Sequence, residues 1–396
     1  MVKIAEELFT RGVEKIYPSR KELEEELKSG KKLRIYYGID PTGELHIGHM
    51  VVLRKLRKFQ DLGHEIIVLI GDFTATIGDP TDKKATRKPL TREQVLRNAK
   101  DYKIYIGKIL DLKKSNIRFL HNGEWTNKLR PIDLLAIASQ FTVAQLLERD
   151  MFQERIKNGK DIHVHEFLYP IFQAYDSVTM DVDMEIGGSD QTFNMLAGRD
   201  LMRKMKNKSK FVLTMALLTD SRGVKIGKTE GNVVALADKP EDLFAKIMAL
   251  SDDAIVNGFK HLTDVAMADI NRIEKEIKKG ENPMGCKKQL AFEVVKQLNC
   301  ERDAEKAQER WINLFSKKEI SAVELPELKL GARKISALDL VLASGVAKSK
   351  SEARRLILGG AVELAGAVKK NPNEISELQG GEILKVGKRR FFKIKI

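Results

Sequence analysis

A strand, a helix and a second strand follow one another between residues 33 and 70, and that run fixes most of what the chain can become. Leu33–Gly38 reads as one strand. Glu65-Ile-Ile-Val-Leu-Ile70 reads as another, so continuously apolar that both of its faces expect burial. Between them Met50, Leu53, Leu56 and Phe59 recur near helical spacing, and Gly63 supplies a stop signal. Strand–helix–strand is the building block of a parallel sheet. Further short strands are expected at 117–121, 182–186 and 211–215, each with helical stretches around it. Residues 1–220 are therefore expected to form an α/β domain around a doubly wound parallel sheet. From Pro240 to about Leu314 the pattern changes to consecutive helices, with apolar positions at three- and four-residue steps over 264–279 and 287–298. A linker is expected at 316–333, where Pro326 and Gly331 fall, and residues 333–396 read as a separate small α+β unit.

That last unit is where the charge collects. The 396 residues carry a formal charge of +14. From Arg333 onward fourteen Lys and Arg stand against six Asp and Glu, so this segment holds +8 of it. Such an excess favours a polyanionic partner, although a merely basic enzyme would show the same total. The unit opens with two short helices, the second starting at Ser349 with Glu352 at capping-box spacing. Its last strand alternates Phe392, Ile394 and Ile396 against Lys393 and Lys395. Only two cysteines occur, Cys286 and Cys300, which excludes a disulfide scaffold or a Cys-based zinc site and suits a reducing compartment. With no signal-like leader and no long uncharged apolar run, a cytoplasmic protein with no membrane partner is expected.

Two segments carry chemistry. Asp40-Pro-Thr-Gly-Glu-Leu-His-Ile-Gly-His49 falls where the first of these strands gives way to the helix. Ligands of open α/β sheets bind at the carboxyl ends of strands, and helix N-termini attract phosphate. His46 and His49 can donate hydrogen bonds to phosphate or ribose oxygens there, and Gly48 leaves room for a planar base. The second segment is Lys225-Ile-Gly-Lys-Thr229, in which Lys225 and Lys228 could clamp a triphosphate from a mobile loop. A third pattern, Tyr169, Gln173 and Asp176 at i, i+4 and i+7, places three polar groups on one helix face if Pro170 sits in a first turn. Apolar neighbours Leu168, Ile171, Phe172 and Tyr175 argue against a purely solvated face.

Taken together, these segments resemble the class I aminoacyl-tRNA synthetases, whose signatures are His-Ile-Gly-His, intact at residues 46–49, and a Lys-Met-Ser-Lys-Ser loop, present as the Lys225–Thr229 variant. Within the class the chain looks like the tyrosyl branch, over essentially its whole length. The resemblance implies a Rossmann-like catalytic domain over 1–220, a Lys-loop and helical tRNA-contacting domain over 221–320, and an S-four-like RNA-binding domain over 333–396. That last match rests on Lys348–Arg355 and Gly359-Gly-Ala-Val362. It implies ATP and Mg²⁺, with L-tyrosine and tRNA(Tyr) as partners and a homodimer formed through the α/β domains. Tyr36 and Asp176 would bond the phenolic hydroxyl. Tyr169, Gln173 and Asp79 would hold the ammonium, and Gln191 would lie near the carboxylate. Asp190 and Gly188 would lie near the ribose, with Asp40 near the adenylate. His46, His49, Lys225, Lys228 and Thr229, with Thr42 beside them, would serve the phosphates. Because a carboxylate nucleophile is already ionised, the reaction asks for positioning and charge neutralisation rather than a base.

Other readings compete. A tryptophanyl sister enzyme shares fold and chemistry but not the Tyr36 and Asp176 pair. A non-catalytic RNA-binding relative would need neither signature, and small nucleotidyltransferases lack the Lys loop and basic tail. His163-Val-His-Glu166 invites a metal reading, but no ligand partners stand at suitable spacing. Met202, Met205 and Met215 read as core or gap-filling residues.

Overall fold

The computed structural model describes residues 6–79, 90–220, 223, 225–226, 233–316, 325–387 and 390–396. The chain divides into two compact units, Met1–Gln308 and Glu309–Ile396.

The first unit is built on a six-stranded sheet: β1 (Val13–Tyr17), β2 (Arg34–Ile39), β3 (Glu65–Ile70), β4 (Ile117–His121), β5 (Met184–Gly188) and β6 (Phe211–Met215). Its order is β1-β6-β5-β2-β3-β4, with every pairing parallel except that of β1 with β6. The expected strands are present within two residues of their expected starts, and β1 is additional. It lies at the sheet edge, exposes Glu14 and Lys15 and buries only Ile16, so its sequence carries little of the apolar signal of a central strand. Helix α1 (Ile47–Asp61) runs between β2 and β3 and buries Met50, Leu53, Leu56 and Phe59 completely. It ends where Gly63 adopts φ +83°, a left-handed position that suits glycine after a helix.

Two further helices wall the sheet near its carboxyl edge, α2 (Val164–Met180) and α3 (Thr192–Lys206). Here one expectation is corrected: Pro170 stands inside α2, not in its first turn. The helix starts earlier because the Glu166 carboxylate accepts from the backbone N–H of His163 at 2.9 Å, satisfying an N-terminal donor. Arg155 also donates to Glu166, so this carboxylate has a capping and pairing role. Helices Pro240–Met248, Ile255–Leu262, Met267–Lys278 and Met284–Leu298 follow and belong to the same compact unit as the sheet. Arg11 ties its start to them by donating to the carbonyls of Phe259, Lys260 and Thr263.

In the second unit, helices Ala337–Ala343 and Lys350–Leu358 pack with a small, largely antiparallel sheet around Leu340, Val341, Ile357, Val362 and Leu384. The expected linker is corrected on its C-terminal side. Glu327–Lys329 is a strand in parallel register with the final strand, Arg390–Lys395, whereas residues 317–324 lie outside the described ones. The final strand buries Ile394 in the main core and Phe391 against Leu314 and Leu325. Ile396 stays 44% exposed, so the expected alternation stops before the last residue. Helix Lys350–Leu358 starts at Ser349, which accepts from the Glu352 N–H at 3.2 Å. It buries Ala353 and Ile357 and leaves Lys350, Arg354 and Arg355 exposed.

Candidate active site

The order of the sheet reverses between β2 and β5, and a cavity of about 250 Å³ opens at the carboxyl ends of these strands. At its floor the Tyr36 hydroxyl, on a fully buried residue, lies 3.1 Å from Ser177 Oγ. Asp176, 2% exposed, accepts from Trp125 Nε1 at 2.8 Å and from Asn122 Nδ2 at 3.1 Å. Gln173 and Tyr169 line the same cavity one and two turns earlier on α2, so the i, i+4, i+7 stripe faces it. Burial pushes the Asp176 carboxyl up to about 8, against the opposing bonds from Asn122 and Trp125.

Above Asp176 a chain of bonds leads to a second carboxyl. Asn122 Nδ2 also donates to Thr74 Oγ1 at 3.1 Å, and Thr74 donates to Asp40 at 2.7 Å. Asp40 accepts from the Tyr169 hydroxyl at 2.9 Å as well. Burial raises Asp40 to about 7, although both donors oppose the shift. Its approach to the chain after β3 depends on Gly71, where a Cβ would stand 2.0 Å from Asp40 Oδ1. Asp79 occupies the same cavity, accepting from Arg149 at 2.8 Å and from Gln191 Nε2 at 2.6 Å. The three residues expected to hold one ammonium thus share a cavity, but Tyr169 bonds Asp40 rather than Asp79, and Gln173 donates to Glu185.

The imidazoles are fixed by the start of α1. His46 is its N-cap and accepts from the Gly48 N–H through Nδ1 at 3.1 Å; His49 Nδ1 accepts from the His46 N–H at 3.1 Å. With Nδ1 accepting, each neutral ring carries its proton on Nε2, so both are donors at that nitrogen. Both rings line the cavity, their centroids 4.1 Å apart. Gly48 lines it too, but a Cβ there would first meet the His46 ring, at 2.8 Å.

The later segment returns to the same place. Lys225 lines the cavity and donates to Asp190 at 2.6 Å, and Ile226 N–H donates to the Leu218 carbonyl at 2.8 Å. After the gap in the described residues, Val234 accepts from the Ile47 N–H at 3.0 Å, and the Leu236 N–H reaches the Leu45 carbonyl at 2.8 Å. Both ends of the loop are thus tied to the cavity or to the His46–His49 turn. Lys228 and Thr229 lie outside the described residues. Thr42, Gly188 and Gln191 complete the cavity wall, and at Gly188 a Cβ would sit 2.6 Å from Asp190 Oδ1.

Sequence reasoning did not reach Asn122, Trp125, Thr74, Ser177, Arg149, Glu185 or Lys210. For Glu185 a signal was present: a charge inside the buried strand Met184-Glu185-Ile186 calls for a partner.

Residues 28–316 match the family described as tRNA synthetases class I (W and Y), and residues 338–377 match the S4 domain. The chain is 43% identical over 375 residues to a tyrosine–tRNA ligase of Aquifex aeolicus, covering 94% of each chain. It is 44% identical over 385 residues to one of Geobacter metallireducens, again covering 94% of each. Among solved structures, a tyrosyl-tRNA synthetase from Archaeoglobus fulgidus complexed with L-tyrosine superposes with a TM-score of 0.60 at 25% identity, over 76% of this chain and 98% of that one.

The raised carboxyls carry a stability signature. Asp40 and Asp176 titrate near about 4 when unfolded but at about 7 and about 8 when folded. The folded state then holds more protons between those limits, so their contribution is greatest at low pH and is lost as pH rises through the folded values. Urea unfolding of Asp176→Asn is expected to lose less stability than the parent between about pH 5 and 8. Parallel losses would show that Asp176 is not raised.

Proposed function

The chain belongs to the class I tRNA synthetases of the tryptophan and tyrosine group, and from that premise we propose that it is a tyrosine–tRNA ligase. It joins L-tyrosine to ATP as tyrosyl-adenylate with release of pyrophosphate, then transfers the tyrosyl group to the 3′-terminal adenosine of tRNA(Tyr) with release of AMP. The observation that carries this reading is one cavity lined both by His46, His49 and Lys225 and by Tyr36, Gln173 and Asp176.

In this reading the phenol lies between Tyr36 and Asp176. Phenylalanine would desolvate both without pairing them, which costs about 1–3 kcal/mol for each buried unsatisfied group. Tryptophan offers an indole N–H in a different place and no oxygen to accept from Tyr36. The ammonium lies among Asp40, Asp79, Tyr169 and Gln173, where its charge offsets the crowding of carboxyls that burial disfavours. Gln191 serves the substrate carboxylate, with Asp190 and Gly188 near the ribose. His46 and His49 donate through Nε2 to the phosphates, Lys225 adds a positive charge, and Thr42 stands beside them. Lys228 and Thr229 take part by their place in the loop motif. The described residues gather no three His, Cys, Asp or Glu into a metal cage. Mg²⁺ bound with ATP would supply further positive charge at the phosphates beside His46, His49 and Lys225.

Function divides along the chain as 1–220 for activation, 221–320 for the Lys loop and tRNA contact, and 333–396 for RNA binding. The exposed Lys350, Arg354 and Arg355 of the S4 domain suit a phosphate backbone. A cytoplasmic homodimer completes the reading. No helix among the described residues is long and apolar enough to cross a membrane. The apolar Ile132, Leu135 and Val143, each more than 60% exposed on successive helices, supply a surface for a second copy.

Four outcomes test this reading. Tyrosine, and not tryptophan, is expected to drive ATP–pyrophosphate exchange. Lys228→Ala is expected to slow adenylate formation about 10²–10³-fold while tyrosine still binds, since one preorganised donor is worth about 2.7–4 kcal/mol; unchanged activation would remove Lys228 from the mechanism. The triple variant Lys350→Ala, Arg354→Ala, Arg355→Ala is expected to charge tRNA poorly and flatten its salt dependence with exchange intact. Full charging by that variant would rule out this helix as the RNA contact. Sedimentation of the parent as a monomer would dispose of the dimer.

A further inference from the structure

We propose that a buried ion pair beneath the cavity, Lys210 with Glu185, sets the direction of the hydrogen bonds made by Gln173 and Tyr36 and so positions both for the amino acid. The inference rests on the tyrosine-binding reading above and names two positioning residues for it.

Lys210 is fully buried and Glu185 is 2% exposed. Lys210 stands just before β6 and Glu185 lies in β5, and the ammonium donates to Glu185 Oε2. Burial works against charge on Lys210, and the neighbouring carboxylate opposes that effect. Desolvating two charges is costly, and apolar residues of like volume often fill such a place with no loss of stability. A role in orienting neighbours gives the pair a reason to be there.

Two one-way constraints supply that role. A carboxylate only accepts hydrogen bonds. Glu185 Oε1 accepts from Gln173 Nε2 at 3.0 Å, so the Gln173 amide must turn its NH₂ toward Glu185. Its oxygen is thereby left as the end that a substrate ammonium can use. An ammonium only donates. Lys210 Nζ donates to Ser177 Oγ at 2.9 Å, and Ser177 Oγ lies 3.1 Å from the Tyr36 hydroxyl. Accepting from Lys210 leaves Ser177 its own proton to give, and in this proposal it goes to the Tyr36 hydroxyl, a contact whose geometry suits either oxygen as donor. Tyr36 then gives its proton to the substrate phenol oxygen, and the phenol gives its own to Asp176, whose ionised form the bound phenol favours against burial. Taken in this direction the chain runs from the buried cation toward Asp176, while Glu185 also faces the Tyr36 hydroxyl. The fold makes room for it at Gly198, where a Cβ would stand 2.6 Å from Lys210 Nζ and 2.9 Å from Ser177 Oγ.

The test is the double variant Lys210→Met with Glu185→Gln in the full-length protein, read by tyrosine- and ATP-dependent pyrophosphate exchange. Removing both charges together avoids stranding either one. The variant is expected to unfold in urea at a midpoint close to the parent's. Its KM for tyrosine is expected to rise about tenfold or more, and its preference for tyrosine over phenylalanine to fall about tenfold, because the oriented donors and acceptors are no longer fixed. KM for ATP and kcat are expected to stay near the parent's. A folded variant with unchanged KM for tyrosine and unchanged preference would reduce the pair to a structural one and overturn the proposal. Should the double variant not fold, Ser177→Ala keeps the ion pair but cuts its link to Tyr36 and is read by the same constants, with an unchanged preference for tyrosine over phenylalanine again overturning the proposal. A parent protein without tyrosine-dependent exchange would instead defeat the functional reading, so the two failures are distinguishable.

Discussion

Everything at the site depends on β2 being hydrogen-bonded in parallel register to β3 on one side and to β5 on the other. Chain order runs outward from this line in opposite directions, through β3 and β4 on one flank and through β6 on the other. Right-handed crossovers running outward in opposite directions put their connections on opposite faces of the sheet, so a cleft opens at the carboxyl ends between β2 and β5. Tyr36 and Asp40 reach the cleft from β2 and its end. Asn122 comes from the end of β4, and Gly187 and Gly188 from the end of β5. Residues more than 150 positions apart meet because the sheet has only one such edge.

The cleft holds an unfavourable concentration of carboxyl groups. Asp40, Asp79, Asp176 and Glu185 all line it. Each is managed by fixed donors: Thr74 and Tyr169 for Asp40, Arg149 and Gln191 for Asp79, Asn122 and Trp125 for Asp176, and Lys210 with Gln173 for Glu185. Burial still lifts Asp40 and Asp176 far above ordinary carboxyls. A ligand that brings an ammonium and a hydroxyl donor relieves this tension, whereas an anionic or wholly apolar one does not. The histidines and Lys225 provide the opposite potential on another part of the wall, where a polyphosphate can lie. In the proposed reading the amino acid and the nucleotide phosphates thus take separate parts of a single cavity.

Much of this is legible in the amino-acid sequence. Apolar periodicity gave β2, α1 and β3, because fully buried strands and a one-sided helix leave unambiguous patterns. The His46–His49 turn was legible because a polar motif at a strand-to-helix junction has few structural uses. β1 was hidden by its edge position, where Glu14 and Lys15 face solvent. The start of α2 was missed because Pro170 invites a first-turn reading, while the Glu166 bond that begins the helix depends on a capping box easily taken for part of a metal pattern. The supports of the site were hidden for a different reason. Asn122, Trp125, Ser177 and Lys210 each lie in ordinary local sequence, and their roles exist only through neighbours that the sheet brings together.

The central claim is spatial, and a crystal structure with a non-hydrolysable tyrosyl-adenylate analogue tests it most directly. The phenol oxygen is expected within hydrogen-bonding distance of both Tyr36 Oη and an Asp176 oxygen, with the adenylate phosphate beside His46 and His49. An analogue bound with its phenol away from Asp176, or its phosphate remote from both imidazoles, would contradict the account.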